Sequence, residues 1–111
     1  MSKTKEKGKA SSNSIELTLH VIGGKWKMQI IWLLRENEKR YGELKKSIPT
    51  ITHKMLTQQL RELENDDLII RKDYKQVPPK VDYSLSLLGK STLPVIEMLK
   101  EWGDEYKKLF D

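Results

Sequence analysis

Hydrophobic positions repeat at helical intervals over most of the chain and switch to alternation only once. Ile15, Leu19 and Ile22 form one stripe that stops at Gly23 and Gly24, which predicts a first helix closed by that glycine pair. A second helix is predicted over residues 25–36. Met28, Ile31, Trp32 and Arg35 take its periodic positions, and Ile30, Ile31, Leu33 and Leu34 make it apolar over most of its circumference, as expected of a central helix. Trp26 and Trp32 suit packing better than ligand stacking. A short helix at about 41–48 is closed by Pro49, and Thr50-Ile51-Thr52 leads into a longer one at about 53–66. Thr52 is placed to cap that helix through its hydroxyl. Leu56, Leu60 and Leu63 fall on its inner side, with Lys54, Thr57, Gln58 and Arg61 on the other. Two helices in tight succession, the second strongly amphipathic, have the outline of a helix-turn-helix.

After Asp67 the period changes. Residues 68–74 read as a strand, and in residues 81–85 the apolar side chains occupy every second position, as in a half-buried strand. Between them, Lys75-Gln76-Val77-Pro78-Pro79-Lys80 carries two prolines that cannot donate ladder hydrogen bonds, so a stiff hairpin tip is expected. A hairpin directly after the amphipathic helix is a wing. The last helix is predicted from residue 87 or 88, with Val95, Leu99, Trp102, Tyr106 and Leu109 at three- and four-residue steps and Pro94 kinking or interrupting it early. The fold class is therefore mainly α with a small β-hairpin (α+β), a winged helix-turn-helix over residues 13–111. Ile15, Leu19, Leu99, Trp102, Tyr106 and Phe110 are too many large apolar groups to leave in water, and a homodimer joined through the terminal helices would cover them.

Charge sharpens this picture. The 111 residues carry a formal net charge of +5. Residues 1–12 hold Lys3, Lys5, Lys7 and Lys9 against Glu6, a composition expected to be a disordered basic tail, either solubilising or DNA-contacting. Residues 39–80 hold ten Lys and Arg against six acids, and residues 81–111 hold four against six. A basic middle and a slightly acidic end suit a polyanionic partner. On the outer face of the 53–66 helix, Gln58 suits adenine, Arg61 guanine and Thr57 a thymine methyl, with Lys54 in the first turn beside Thr52 and His53. Lys75, Gln76 and Lys80 at the wing, and Lys25, Lys45 and Lys46 elsewhere, are candidates for backbone contacts.

Other chemistry has little support. The sequence has no cysteine, which excludes disulfides, thiolate metal sites and thiol switches. His20 and His53 belong to no metal or triad motif, and Gly23-Gly24-Lys25 lacks the rest of a phosphate loop. Glu62, Glu64, Asp66 and Asp67 read as a solvated acidic helix end. No catalytic residue, metal or cofactor is expected. No apolar run is long enough to cross a bilayer and no signal peptide is evident, so a soluble cytoplasmic protein without a membrane partner is expected.

The segments Ile22-Gly23-Gly24-Lys25-Trp26, Tyr41-Gly42-Glu43-Leu44 and Lys54-Met55-Leu56-Thr57-Gln58-Gln59-Leu60-Arg61-Glu62-Leu63 closely resemble the HxlR-type bacterial transcriptional regulators. Val77-Pro78-Pro79-Lys80-Val81-Asp82-Tyr83 is similar to that family's wing, and Leu85-Ser86-Leu87-Leu88-Gly89 to its approach to the last helix. The resemblance runs from about Ser14 to Gly103. It implies a homodimeric winged helix related to the MarR proteins, paired through the terminal helices and controlling nearby genes as repressor or activator. Many members carry a cysteine just before the first helix; here Asn13 stands at that place, so a thiol switch does not carry over.

Three functions remain open at this point. The first is sequence-specific binding of double-stranded DNA at an inverted-repeat operator, with an unidentified small-molecule effector as the input. The second is a winged-helix protein-interaction module, whose binding face should show exposed aromatics. The third, non-specific nucleic-acid binding through the basic tail, leaves the Gln-Thr-Arg face unexplained.

Overall fold

A computed structural model describes residues 13–110; the expected basic tail, residues 1–12, lies outside them. Its first element, α1 (Ser14–Ile22), starts because the Asn13 side-chain oxygen accepts from the backbone N–H groups of Ile15 and Glu16 at 2.9 and 3.2 Å. It stops as expected before Gly23, and Gly24 turns the chain at φ 90°, a left-handed conformation open to glycine at no steric cost. The central helix α2 (Lys27–Leu33) is shorter at both ends than its apolar pattern predicts. At its start the Trp26 ring is buried, and Lys25 lies ahead of the helix with its ammonium 4.8 Å from that ring. At its end Arg35 returns onto Trp32, its guanidinium 4.4 Å from the ring centroid and donating to the Trp32 carbonyl oxygen at 2.8 Å. The apparent periodicity of Arg35 thus belongs to a turn. Ile30 and Ile31 are both wholly buried, as the all-round apolar pattern of a central helix requires, and α2 packs on the third, fourth and last long helices.

β1 (Lys39–Arg40) leads directly into α3 (Tyr41–Ser47), whose Glu43 carboxylate accepts from the Arg40 N–H at 2.9 Å. After Pro49 and Ile51 comes α4 (His53–Asn65). The hydroxyl of Thr52 accepts from the Met55 N–H at 3.1 Å, the expected cap and a contribution of about 1 kcal/mol. Leu56, Leu60 and Leu63 are buried as the pattern required. β2 (Ile69–Asp73) and β3 (Val81–Leu85) form the antiparallel wing, with Ile69 opposite Leu85 and Arg71 opposite Tyr83. The expected two-stranded hairpin is in fact a three-stranded sheet of order β1-β3-β2, because Lys39 and Arg40 pair with Tyr83 and Asp82. Two charged residues between helices give no alternation from which β1 could be read.

Two further differences concern polar groups. The acidic end of α4 is not simply solvated. Asp66 is buried, and Glu62 lies 3.3 Å from the ammonium of Lys27, a lysine buried at the start of α2. A charge removed from water needs such a partner, and the pair ties α2 to α4. Likewise the polar face of β3 is not simply solvated, since Asp82 is buried between Tyr74 and β1.

The wing returns to the helices through Ser86. Its hydroxyl accepts from the Gly89 N–H at 2.9 Å and lies 2.6 Å from the Asp67 carbonyl oxygen, where it donates. Gly89 is required, since a Cβ there would stand 2.0 Å from the Leu68 carbonyl oxygen. The last helical stretch breaks in two as α5 (Leu87–Lys90) and α6 (Leu93–Lys108). The stretch is thus interrupted early, one of the two outcomes expected of Pro94, and α6 is not kinked by it: Pro94 sits in the first turn, where its missing N–H costs no hydrogen bond. Ile96 is the buried residue of α6, and from Glu97 onward its apolar side chains stay exposed. Sixteen residues make a rod about 24 Å long, tethered near one end. Among the described residues no helix is long and apolar enough to cross a membrane.

Candidate nucleic-acid interface

The burial of Leu56, Leu60 and Leu63 fixes the rotation of α4, and a helix rotated that way must present the intervening positions to solvent. His53, Lys54, Thr57, Gln58 and Arg61 are all exposed and together line one open cleft of about 550 Å³. Five of the residues expected at the DNA face are therefore brought together on one helix. Thr52 caps the same helix from the residue before it. The first turn of α4 contains no acid, so the partial positive charge of its free N–H groups adds to Lys54 rather than being neutralised.

Tyr41 joins this surface, although only the motif around it drew attention to it. Its hydroxyl donates to the His53 carbonyl oxygen at 3.2 Å, lies 2.9 Å from His53 Nδ1 and reaches within 3.5 Å of the Thr57 hydroxyl. The two rings stack with centroids 5.8 Å apart. One phenol thus fastens α3 to the first turn of α4 and sets the angle between the helices of the helix-turn-helix.

The wing is fastened from below. The Tyr74 hydroxyl donates to the Asp82 carboxylate at 2.9 Å, and Arg40 Nε lies 3.9 Å from the other carboxylate oxygen. That hydrogen bond, with the negative charge of Asp82 beside it, raises the Tyr74 hydroxyl above its ordinary pKa. Lys80 and Lys72 place their ammonium groups 4.2 and 4.7 Å from the Tyr74 ring centroid. Lys80 is therefore half-buried and oriented, whereas Lys75 and Gln76 at the tip are exposed. Lys75 adopts φ 51°, steadied by its N–H donating to Asp73 Oδ1 at 2.8 Å, and the Val77–Pro78 peptide is cis. The pairing of Tyr74 with Asp82 has no signal in the sequence beyond an acid set between the apolar positions of an alternating strand.

The remaining basic candidates stand apart. Lys25 precedes α2, and Lys45 and Lys46 lie on α3; none lines the α4 cleft. The six residues expected at a dimer interface are all exposed. Ile15 and Leu19 lie on α1, and Leu99, Trp102 and Tyr106 on α6 with Phe110 just beyond it. Trp102 and Tyr106 stack with centroids 5.0 Å apart, and Phe110 sits tilted at 51° against Tyr106 at the same 5.0 Å, an aromatic row along the unpacked end of α6. Among the described residues, no three His, Asp or Glu side chains gather as a metal site needs.

A family model described as HxlR-like helix-turn-helix matches residues 21–110. The chain belongs to the HxlR-like helix-turn-helix family. Among its curated relatives, the HTH-type transcriptional regulator YdeP of Bacillus subtilis is 52% identical over 97 residues, covering 87% of this chain and 76% of YdeP. The solved structure of the redox regulator HypR in its reduced form superposes with a TM-score of 0.84 at 44% identity, covering 88% of this chain and 97% of HypR. A MarR-family regulator from Porphyromonas gingivalis superposes with a TM-score of 0.82 at 39% identity, over 86% of this chain and 93% of that one. Just before its first helix this HxlR-like chain has an asparagine, Asn13, which caps it.

Proposed function

We propose that this HxlR-like chain is a sequence-specific DNA-binding transcriptional regulator, not an enzyme, acting in the cytoplasm as a homodimer on an inverted-repeat operator. The observation that carries the reading is the outer face of α4, where His53, Lys54, Thr57, Gln58 and Arg61 share one exposed cleft without an aromatic among them save the imidazole. Gln58 and Arg61 are chemically matched to base edges, and α4 is the element to enter the major groove. Lys75, Gln76 and Lys80, on a wing held by Tyr74 and Asp82, would lie along the flanking backbone, with Lys25, Lys45 and Lys46 as outlying phosphate contacts. Most of the large exposed apolar groups lie on α1 and along α6 and just beyond it, with Ile70, Val77, Leu87 and Leu88 elsewhere and none on α4, which supports a subunit contact through α1 and α6 rather than a protein partner on α4.

Pairing through α1 and α6 would set two α4 helices about one DNA turn apart, near 34 Å. A small apolar effector is the fitting input, and a cleft of about 290 Å³ between α2 and α6, lined by Met28, Trp32, Ile96 and Leu99, offers it a place. Selection of duplexes from a random pool, followed by footprinting, tests the reading. The expected product is an inverted repeat with half-sites about ten base pairs apart; enrichment of unrelated sequences, or of none, would refute it.

A further inference from the structure

Beside the base-reading face lies a second cleft, between α4 and the wing, with different chemistry. It has a volume of about 400 Å³ and is lined by Thr57, Leu60, Arg61 and Glu64 from α4 and by Arg71 and Tyr83 from the wing strands. The strand period explains the placement of Arg71. Ile69 and Leu85 form a buried pair facing the helices, so two residues further along Arg71 and Tyr83 form the next pair on that same face. Arg71 thus occupies a core-facing position where the core has ended. Its neighbour Lys72, on the opposite face, is engaged over the Tyr74 ring. Among the described residues neither Arg61 nor Arg71 stands within ion-pair distance of a carboxylate. One carboxylate against two guanidinium groups leaves the cleft positive.

We propose that Arg71 and Tyr83 form a binding site for one backbone phosphate of the DNA duplex, at the junction of α4 and the wing. The inference rests on the DNA-binding reading and adds residues that reading did not include. If α4 lies in the major groove and the wing beside it, the strand bordering the groove passes between them, and this cleft is the gap it passes. The cleft shares Thr57 and Arg61 with the base-reading face, so both open to the same side. Arg71 supplies a planar fork matched to two phosphate oxygens, and the Tyr83 and Thr57 hydroxyls supply neutral donors. Arg61, at the shared edge, adds positive charge while its guanidinium remains free for a base. A phosphate held here fixes how deeply α4 sits in the groove but carries no sequence information.

The test uses the full chain and a duplex it selects from a random pool, with affinity measured between about 50 and about 200 mM salt. One lost phosphate contact lowers the slope of log affinity against log salt by about 0.9 per bound chain, so over that range Arg71→Ala should gain three- to four-fold less affinity on dilution than the unmodified chain, about equally on selected and scrambled duplexes. Arg71→Lys keeps the charge and should keep the slope. Independently of any variant's folding, methylphosphonate replaced one position at a time along the duplex should expose a phosphate whose neutralisation weakens the unmodified chain but leaves Arg71→Ala unaffected. An unchanged slope in Arg71→Ala while Lys80→Ala lowers it, or a loss confined to the selected sequence, would overturn the site and leave the DNA reading standing. Failure of the unmodified chain to select any duplex would overturn both.

Discussion

Replacing Trp102 and Tyr106 together by glutamine tests whether α6 pairs subunits. Glutamine is a good helix former, so α6 itself should persist. In a single chain Trp102 is 66% and Tyr106 47% exposed, so about half to two-thirds of each residue remains to be covered by a partner. Full burial of a large apolar side chain is worth about 1.5–3 kcal/mol, which puts each of these at about 1–2 kcal/mol on association. A two-fold dimer loses both rings from each subunit, about 4–8 kcal/mol in all. At about 1.4 kcal/mol per tenfold, the dimer dissociation constant should rise at least about a thousandfold. Sedimentation equilibrium over a broad concentration range reads this directly, with circular dichroism confirming retained helix. The unmodified chain should be dimeric at micromolar concentration and the variant monomeric, with operator affinity falling in parallel. A monomeric unmodified chain, free and on a palindromic duplex, would refute the reasoning, as would a variant that dimerises equally well.

Further expectations concern the wing and the signal. Tyr74 has a raised pKa because its hydroxyl donates to Asp82, so the anchor is fully present below the ordinary tyrosine value of 10.0 and is lost as pH rises through the higher folded value. Near-ultraviolet titration should show a phenol ionising above the ordinary value, a signal absent in Tyr74→Phe; its absence from the unmodified chain would contradict the anchor. With no cysteine in the sequence, treatment with diamide should leave DNA affinity unchanged, and a loss reversed by dithiothreitol would contradict this. The ion pair of Asp104 with Lys100 lowers the Asp104 pKa, so its small contribution to α6 is present above pH 3.8 and lost as pH falls through the lower folded value, which Asp104→Asn should abolish in an acid helix melt.

Most of this fold was legible because its determinants are local. The glycine stop of α1, the Thr52 cap and the leucine face of α4 follow from spacing alone, and so does the outward set from Lys54 to Arg61. What escaped depends on contacts distant in sequence. β1 exists because Lys39 and Arg40 meet β3 more than forty residues later. Asp82 is buried because Tyr74 folds over it, and Glu62 is held because Lys27 approaches from another helix. The apolar pattern of residues 25–36 is longer than α2 because apolarity marks burial without marking where the helix gives way to a buried turn at Trp26. Two-residue counting from Ile69 places Arg71 on the helix-facing side, but only the fold shows that the core ends before it and leaves a cleft there.

The central claim is that the outer face of α4 reads bases while the wing holds backbone, and paired titrations at one salt concentration test it most directly. Gln58→Ala and Arg61→Ala should each cost about 1–3 kcal/mol on the selected operator and little on a scrambled duplex. Lys75→Ala and Lys80→Ala should weaken binding to both duplexes alike. Loss from the α4 variants that is equal on operator and scrambled DNA, or unchanged affinity in all four, would contradict the account.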